Sequence, residues 1–185
     1  MRISSLLPAL ALLSSGCIVE APSGGQKPPP EVERARAMTR DLPAMTVKLS
    51  ANLEDKVEVV NAILQPGQVA PGEPAKVTVF FKTLEEMSAD YMIFVHVEDV
   101  DNRVERMNLD HKPAGGQYPT NQWKKGEIIK DEFVVYVPPL PIRALNVWMG
   151  FWEPKTDTRL RLRNVDQVRN DGRDRLMIMQ IPVVR

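Results

Sequence analysis

Two groups of side chains in this sequence have the types and the spacing of a binding surface. Trp148 and Trp152 lie four residues apart in an apolar stretch, and an alternating stretch shortly afterwards carries Arg159, Arg161 and Arg163. Aromatic rings stack on sugar rings and on partner side chains, and a row of like charges orients a protein on its partners. These five residues are therefore candidates for the recognition of a glycan or of another protein.

Two further aromatic residues, Tyr118 and Trp123, belong to this candidate surface in the glycan-binding hypothesis. The alternative for the tryptophans is that another segment covers them, because bare tryptophans promote aggregation. For the arginines, the alternative is a solvated strand whose charge protects a sheet edge from strand addition.

Catalytic chemistry has little support in the sequence. It contains no nucleophile elbow, no H-E-x-x-H pair and no glycine-rich phosphate or dinucleotide loop. His96, His111 and Asp110 form a metal or acid–base cluster only if a strand end and a loop converge, and His96 is more typical of a hydrogen-bonded sheet residue. The acidic residues of the segment 99–110 lack the glycine and glutamate of a calcium loop. We therefore expect no enzyme activity, no metal site and no cofactor.

The elements that position the candidate residues are predicted to be β-strands. Apolar and polar residues alternate over most of the chain, in short segments separated by proline-, glycine- and asparagine-containing turns. In residues 145–152 this alternation places both tryptophans on the face opposite the core, and in residues 159–163 it buries two leucines. Residues 91–98 are apolar on both faces, which is typical of a central strand, and residues 103–109 are expected to form its return strand. The expected fold is an all-β, immunoglobulin- or fibronectin-like antiparallel β-sandwich of eight or nine strands.

The composition agrees with one folded domain and excludes several classes of protein. The chain has 185 residues, of which 43% are hydrophobic and 26% are charged, so it is not disordered throughout. Its formal net charge is zero, which argues against a nucleic-acid partner. Sixteen prolines disfavour a helix bundle. The one cysteine, Cys17, excludes an intramolecular disulfide.

The N-terminus has the layout of an export signal. A positive charge at Arg2 precedes the apolar run 6–13, which is followed by Ser14-Ser15-Gly16-Cys17. The run is shorter than the ~20 residues that a transmembrane helix needs. This segment resembles the lipobox of bacterial lipoproteins, although Ser14 stands where that motif usually has leucine. The alternative is an ordinary secreted protein with a free thiol.

The lipobox resemblance implies a division of the chain and a location. Residues 1–16 are then a signal peptide, and Cys17 carries acyl chains that attach the protein to a membrane. Because Ile18 rather than aspartate follows the cysteine, the resemblance implies the outer membrane, with the domain facing the periplasm. Residues 17–44 are expected to form the anchor, a Pro- and Gly-rich tether and a possible short helix over residues 31–40, and residues 45–185 the β-sandwich domain.

A second resemblance rests on residues 110–131, which read D-x-x-P-x-x-G-x-Y-P-T-x-x-W-x-x-G-E-x-I-x-D. They follow a Phe-Val-His-Val strand and precede a V-x-M-G-F-W hairpin that ends in T-x-x-R-L. Over residues 75–165 this order is similar to small bacterial β-sandwich modules on the envelope side of membrane glycosyltransferase-like proteins and in envelope lipoproteins. The resemblance implies a fold and a compartment, and no chemistry.

Three hypotheses about function follow. The first is a non-catalytic, lipid-anchored envelope protein that acts as a structural or docking subunit and has protein partners in a membrane-associated assembly. The alternative is a glycan-binding module of the envelope that uses the aromatic residues. The third, a hydrolase that uses carboxylates or the Asp110–His111 loop, has the least support.

Overall fold

A computed structural model describes residues 30–39 and 47–184 of the chain. The expectations about the signal peptide 1–16, the acylated Cys17 and the tether that follows it lie outside the described residues. No helix in the described part of the chain is long and apolar enough to cross a membrane.

The described chain folds as a β-sandwich of two antiparallel sheets, which confirms the predicted fold class. One short helix, α1 (Pro30–Ala37), precedes the strands. The strands are β1 (Met38–Thr39), β2 (Val47–Leu53), β3 (Val57–Gln65), β4 (Pro74–Thr83), β5 (Met92–Asp99), β6 (Met107–Asn108), β7 (Ile128–Tyr136), β8 (Ala144–Glu153), β9 (Thr158–Arg159) and β10 (Leu176–Pro182). The first sheet has the order β1-β7-β4-β3-β2, and the second has the order β10-β8-β5-β6 with β9 added to β8.

The core lies between the two sheets because inward positions alternate with outward ones along each long strand. On β8 the odd-numbered residues from 145 to 151 are all 0% exposed: Leu145, Val147, Met149 and Phe151. On β5 the same holds for Ile93, Val95 and Val97. The strand β5 lies between β8 and β6, so the prediction of a central strand over residues 91–98 is confirmed.

Three predicted elements differ from the structure. The return strand expected over residues 103–109 is only two residues long, β6. Of the strand expected over residues 159–163, only Arg159 belongs to a regular strand, β9. The residues after it make one isolated β-bridge, between Leu162 and Leu53 of β2. The N-terminal helix ends at Ala37, because Met38 and Thr39 pair with β7 as a strand.

Candidate functional site

The motif-rich segment 110–131 places its two aromatic side chains in the interior of the sandwich. Trp123 is 0% exposed and Tyr118 is 3% exposed, so both lie in the interior. The Trp123 indole N–H donates to the Tyr118 carbonyl oxygen at 2.9 Å, and the Tyr118 hydroxyl lies 2.8 Å from the Glu127 carboxylate. The prediction that Tyr118 and Trp123 contribute to an exposed surface is therefore corrected, because both rings are needed inside the fold.

The carboxylate of Glu127 fastens the N-terminal helix to this segment. It accepts hydrogen bonds from the Tyr118 hydroxyl and from the Lys124 N–H, and it forms an ion pair with Arg34 of α1. The hydrogen bond and the charge of Glu127 raise the pKa of Arg34. Burial and the hydrogen bond to Glu127 raise the pKa of Tyr118. The chain that follows the predicted tether is thus held against the edge of the first sheet.

The two histidines lie on opposite sides of the second sheet and form no common site. His111 bridges to Ile93, whose side chain faces the core, whereas His96 is three residues further along β5 and faces outward. Asp110 accepts a hydrogen bond from the Val95 N–H at 3.0 Å. Among the described residues, no group of three or more His, Cys, Asp or Glu side chains is arranged to hold a metal ion.

His111 and Asp131 form an ion pair inside the sandwich. His111 Nδ1 lies 2.7 Å from the Leu109 carbonyl oxygen, and Nε2 lies 2.8 Å from the Asp131 carboxylate, which is 0% exposed. Both partners are acceptors, so protonation of the ring lets both of its nitrogens donate a hydrogen bond. Burial alone would lower the pKa of His111, but the hydrogen bond and the charge of Asp131 outweigh burial and raise it. The pair therefore has a structural role and connects the two sheets.

We expect this ion pair to make stability depend on pH. A raised histidine pKa contributes stability that is fully present below the pKa of the unfolded chain, about 6.5, and is lost as pH rises through the higher folded value. The free energy of unfolding should therefore fall as pH rises above about 6.5 in the wild type, and this slope should be absent in His111→Gln. Urea unfolding at a series of pH values measures it. The control His96→Gln should keep the slope, and an unchanged slope in His111→Gln would refute the assignment.

The outer face of β8 carries both predicted tryptophans, and both are half-buried there. Gly150 separates them, and it lies opposite Phe94 of β5 in the register of the sheet. A Cβ on Gly150 would come within 2.4 Å of the Phe94 ring, which shows that the ring fills the space above the glycine. The gap between the indoles is therefore occupied by a third aromatic ring.

Two arginines cover this row of rings. The Arg175 guanidinium lies 5.1 Å from the centroid of the Trp148 ring, and that of Arg159 lies 4.6 Å from the centroid of the Phe94 ring. Both distances are those of cation–π contacts. We call the surface formed by Phe94, Trp148, Trp152, Arg159 and Arg175 the tryptophan face. Phe94 in its middle is 3% exposed, and the two tryptophans at its ends are half-buried.

The exposed part of each indole on the tryptophan face is hydrocarbon. The ring nitrogens of Trp148 and Trp152 are buried, and neither has a hydrogen-bond partner among the described residues. A ligand that meets these rings from outside therefore contacts carbon atoms and uses packing and stacking.

A network of charges holds Arg175 over Trp148. Arg175 donates to Glu98 of β5 at 2.6 Å and to Asp171 at 2.6 Å, and its Nη1 lies 3.3 Å from His96 Nδ1. Burial lowers the pKa of His96, and the nearby positive charges of Arg106 and Arg175 lower it further. His96 is therefore neutral at pH 7 and accepts a hydrogen bond from Arg175.

The three predicted arginines line one cleft beside the tryptophan face. Leu160 is 1% exposed and Leu162 is 7% exposed, so the predicted alternation holds and Arg159, Arg161 and Arg163 point outward. They line a cleft of about 570 Å³ with four further charged or aromatic residues, Glu54, Lys56, Tyr91 and Asp174. We call this cleft the arginine groove. Arg159 belongs to both surfaces.

Sequence reasoning missed several residues of these two surfaces. The alternation in β5 could have placed Phe94 outside, next to the glycine gap of β8, because adjacent strands share their faces. No pattern indicates Arg175, Lys56 or Tyr91, since they come from turns and loops whose positions depend on the assembled sandwich.

Comparisons with other proteins add similarity of fold only. No protein-family model matches the chain, and no curated protein matches it in sequence. The chain is similar to the crystal structure of the C-terminal domain of wzt, with 12% identity, a TM-score of 0.48 and coverage of 78% of this chain and 83% of that chain. It is also similar to Spo0M, a sporulation control protein from Bacillus subtilis, with 16% identity and a TM-score of 0.31 over 70% of this chain and 49% of that chain. The chain thus spans about half the length of Spo0M, and both similarities are too distant to transfer a function.

Proposed function

We propose that this protein is a non-catalytic, lipid-anchored module of the cell envelope that docks with a protein partner through the tryptophan face. The anchor is the acylated Cys17, in the outer membrane, and the sandwich faces the periplasm. The module is a structural or docking subunit of a membrane-associated assembly.

The observation that carries the proposal is the composition and arrangement of the tryptophan face. Trp, Tyr and Arg are the residue types most enriched among those that dominate binding energy at protein interfaces. Here two tryptophans and two arginines surround one phenylalanine, and the rings are held in place by the register of β5 and β8. A rigid surface of this kind loses little side-chain entropy when a partner binds.

The experiment is co-purification of the protein from native membranes in a mild detergent. Replacing both tryptophans with leucine, Trp148→Leu with Trp152→Leu, should remove the partner from the purified complex while the β-rich circular dichroism spectrum is retained. The matched control is Tyr136→Leu, an aromatic residue of the first sheet that is 70% exposed. A wild-type protein that migrates alone, or a complex that survives the double substitution, would contradict the proposal.

A second candidate function is recognition of an envelope glycan by the same face. The hydrocarbon surface that the two indoles expose favours it, because sugar rings stack on such surfaces. Titration of the wild type with envelope polysaccharides, followed by isothermal titration calorimetry, separates the two functions. Saturable binding heat that the double leucine variant loses supports the glycan, and no binding heat with any envelope polysaccharide removes it.

A further inference from the structure

We propose that the arginine groove is a binding site for a phosphate group. This site goes beyond the proposed docking function and depends neither on Cys17 nor on the two tryptophans.

The groove has a rigid wall because the segment 158–163 is hydrogen-bonded to both sheets. The Leu160 N–H donates to the Phe151 carbonyl oxygen of β8 at 3.0 Å, and the Arg163 N–H donates to the Asn52 carbonyl oxygen of β2 at 2.8 Å. The two leucines are buried between the sheets, as described above. The backbone that carries the three arginines is therefore held in place before any ligand binds.

Several charges of the groove are already paired inside it. Lys56 donates to Glu54 at 3.0 Å, and Glu54 also accepts from the Arg161 backbone N–H at 3.4 Å. Burial would raise the pKa of Glu54, but these hydrogen bonds outweigh it and lower the pKa, so this acid stays ionised and paired with Lys56. Asp174 accepts a hydrogen bond from the Leu162 N–H at 3.2 Å. The hydrogen bonds to the two acidic side chains of the groove thus come from Lys56 and from backbone N–H groups, and none comes from a guanidinium in the described part of the chain.

The arginines keep an excess of positive charge. The Arg163 side chain lies 3.7 Å from Asp55 in an exposed pair, which contributes little. Arg159 stacks on Phe94 and donates to the Arg173 carbonyl oxygen at 3.3 Å. Arg161 is exposed and has no ion-pair partner among the residues that the structure describes. An anion that enters the groove therefore finds at least one uncommitted guanidinium between two others.

Phosphate suits this arrangement better than a carboxylate does. A guanidinium presents paired N–H donors that fit either group, so one arginine satisfies a carboxylate, which has two oxygens and one charge. A phosphate monoester has three terminal oxygens and a charge near −2 at neutral pH, so it accepts from two or three arginines together.

The groove lies at the end of the sandwich where the N-terminal helix is attached. Glu54 and Lys56 come from the turn between β2 and β3. This turn lies at the same end of the first sheet as the start of β7, because the end of β4 pairs with both strands there. Val57 of β3 pairs with Thr83, and Ile128 of β7 pairs with Lys82. Thr39 of β1 pairs with the first residue of β7, and Arg34 of α1 forms an ion pair with Glu127, which immediately precedes β7. With the proposed anchor at Cys17, on which this step rests, lipid headgroups are one source of phosphate for a groove at the end of the sandwich that carries the N-terminal helix.

The test uses the full-length protein in a nonionic detergent and isothermal titration calorimetry. The probes are inorganic phosphate, a short-chain phosphatidic acid and acetate, each at the same ionic strength set with chloride. We expect saturable phosphate binding that is about tenfold or more weaker in the variant Arg161→Gln with Arg163→Gln, since this variant lacks two guanidiniums that donate charge-assisted hydrogen bonds to the phosphate.

The matched control removes two arginines at the opposite end of the sandwich, Arg103→Gln with Arg143→Gln, which pair with Asp101 and not with the groove. This control should bind phosphate as the wild type does. Tighter binding of phosphatidic acid than of inorganic phosphate indicates a lipid headgroup, and equal binding indicates a soluble phosphate ester. No saturable binding, equal loss in both double variants, or acetate binding as tight as phosphate binding would overturn the proposal.

Discussion

Replacing Cys17 with serine is expected to release the protein from the membrane. Serine has no thiol to acylate, so the acyl chains are lost and with them about 0.8 kcal/mol for each buried methylene. In cell fractionation the wild type should stay in the membrane pellet after a high-salt wash, and Cys17→Ser should leave it. The salt wash matters because charge contacts of the arginine groove with headgroups are screened at high ionic strength.

The matched control for this experiment is Ser23→Ala, in the predicted tether, which should leave the protein in the pellet. Mass spectrometry of the wild type should find Cys17 as the first residue, with a mass increase that corresponds to acyl chains. A different mature N-terminus, or retention of Cys17→Ser in the washed pellet, would contradict the proposed anchor.

Replacing Trp123 with alanine is expected to destabilise the fold by about 3–5 kcal/mol, because it removes a large buried side chain and leaves a cavity. The Trp123 ring lies 6.1 Å from that of Phe81 in the first sheet and 6.2 Å from that of Phe151 in the second. The substitution also leaves the Tyr118 carbonyl oxygen without its indole donor. This loss is a large part of the 5–15 kcal/mol that stabilises a typical domain.

Urea unfolding followed by circular dichroism measures this loss. Tyr136→Ala is the matched control, because an aromatic side chain that is 70% exposed should change the free energy of unfolding by less than about 0.5 kcal/mol. A change below about 1 kcal/mol in Trp123→Ala would contradict the role of Trp123 as the ring that joins the two sheets.

The parts of the fold that follow a period of two could be predicted from the sequence. On β8 the alternation assigns Trp148 and Trp152 to the outer face, and the burial of Val147 and Met149 confirms it. The same reasoning buries Leu160 between exposed arginines, even though regular pairing ends at Arg159. Where one face of a strand packs on the core, the alternation of apolar and polar residues predicts which face each side chain occupies.

The role of the segment 110–131 could not be predicted in this way. It has no period, and its backbone includes left-handed conformations at Ala114, with a φ of 52°, and at Gly115. Aromatic residues in such a segment face inward or outward according to the loops around them. The sequence therefore does not reveal that Trp123 and Tyr118 lie inside the sandwich, where they fill the space beside Phe81 and Glu127.

The sequence indicates only some of the residues in each candidate surface. The spacing alone identifies the two tryptophans and the three arginines. The groups that define what these residues do come from distant segments: Phe94 fills the gap above Gly150, Arg175 covers Trp148, and Lys56 pairs with Glu54 in the groove. Such contacts join residues far apart in the chain, so no local pattern contains them.

The most direct test of the docking function is photo-crosslinking in living cells with a benzophenone amino acid in place of Trp152. The substitution keeps an aromatic side chain at the open end of the tryptophan face and captures whatever lies against it. The same amino acid in place of Tyr136, on the other sheet, is the control. We expect one defined protein adduct from position 152 and none from position 136. No adduct from position 152, or the same set of adducts from both positions, would contradict docking through this face.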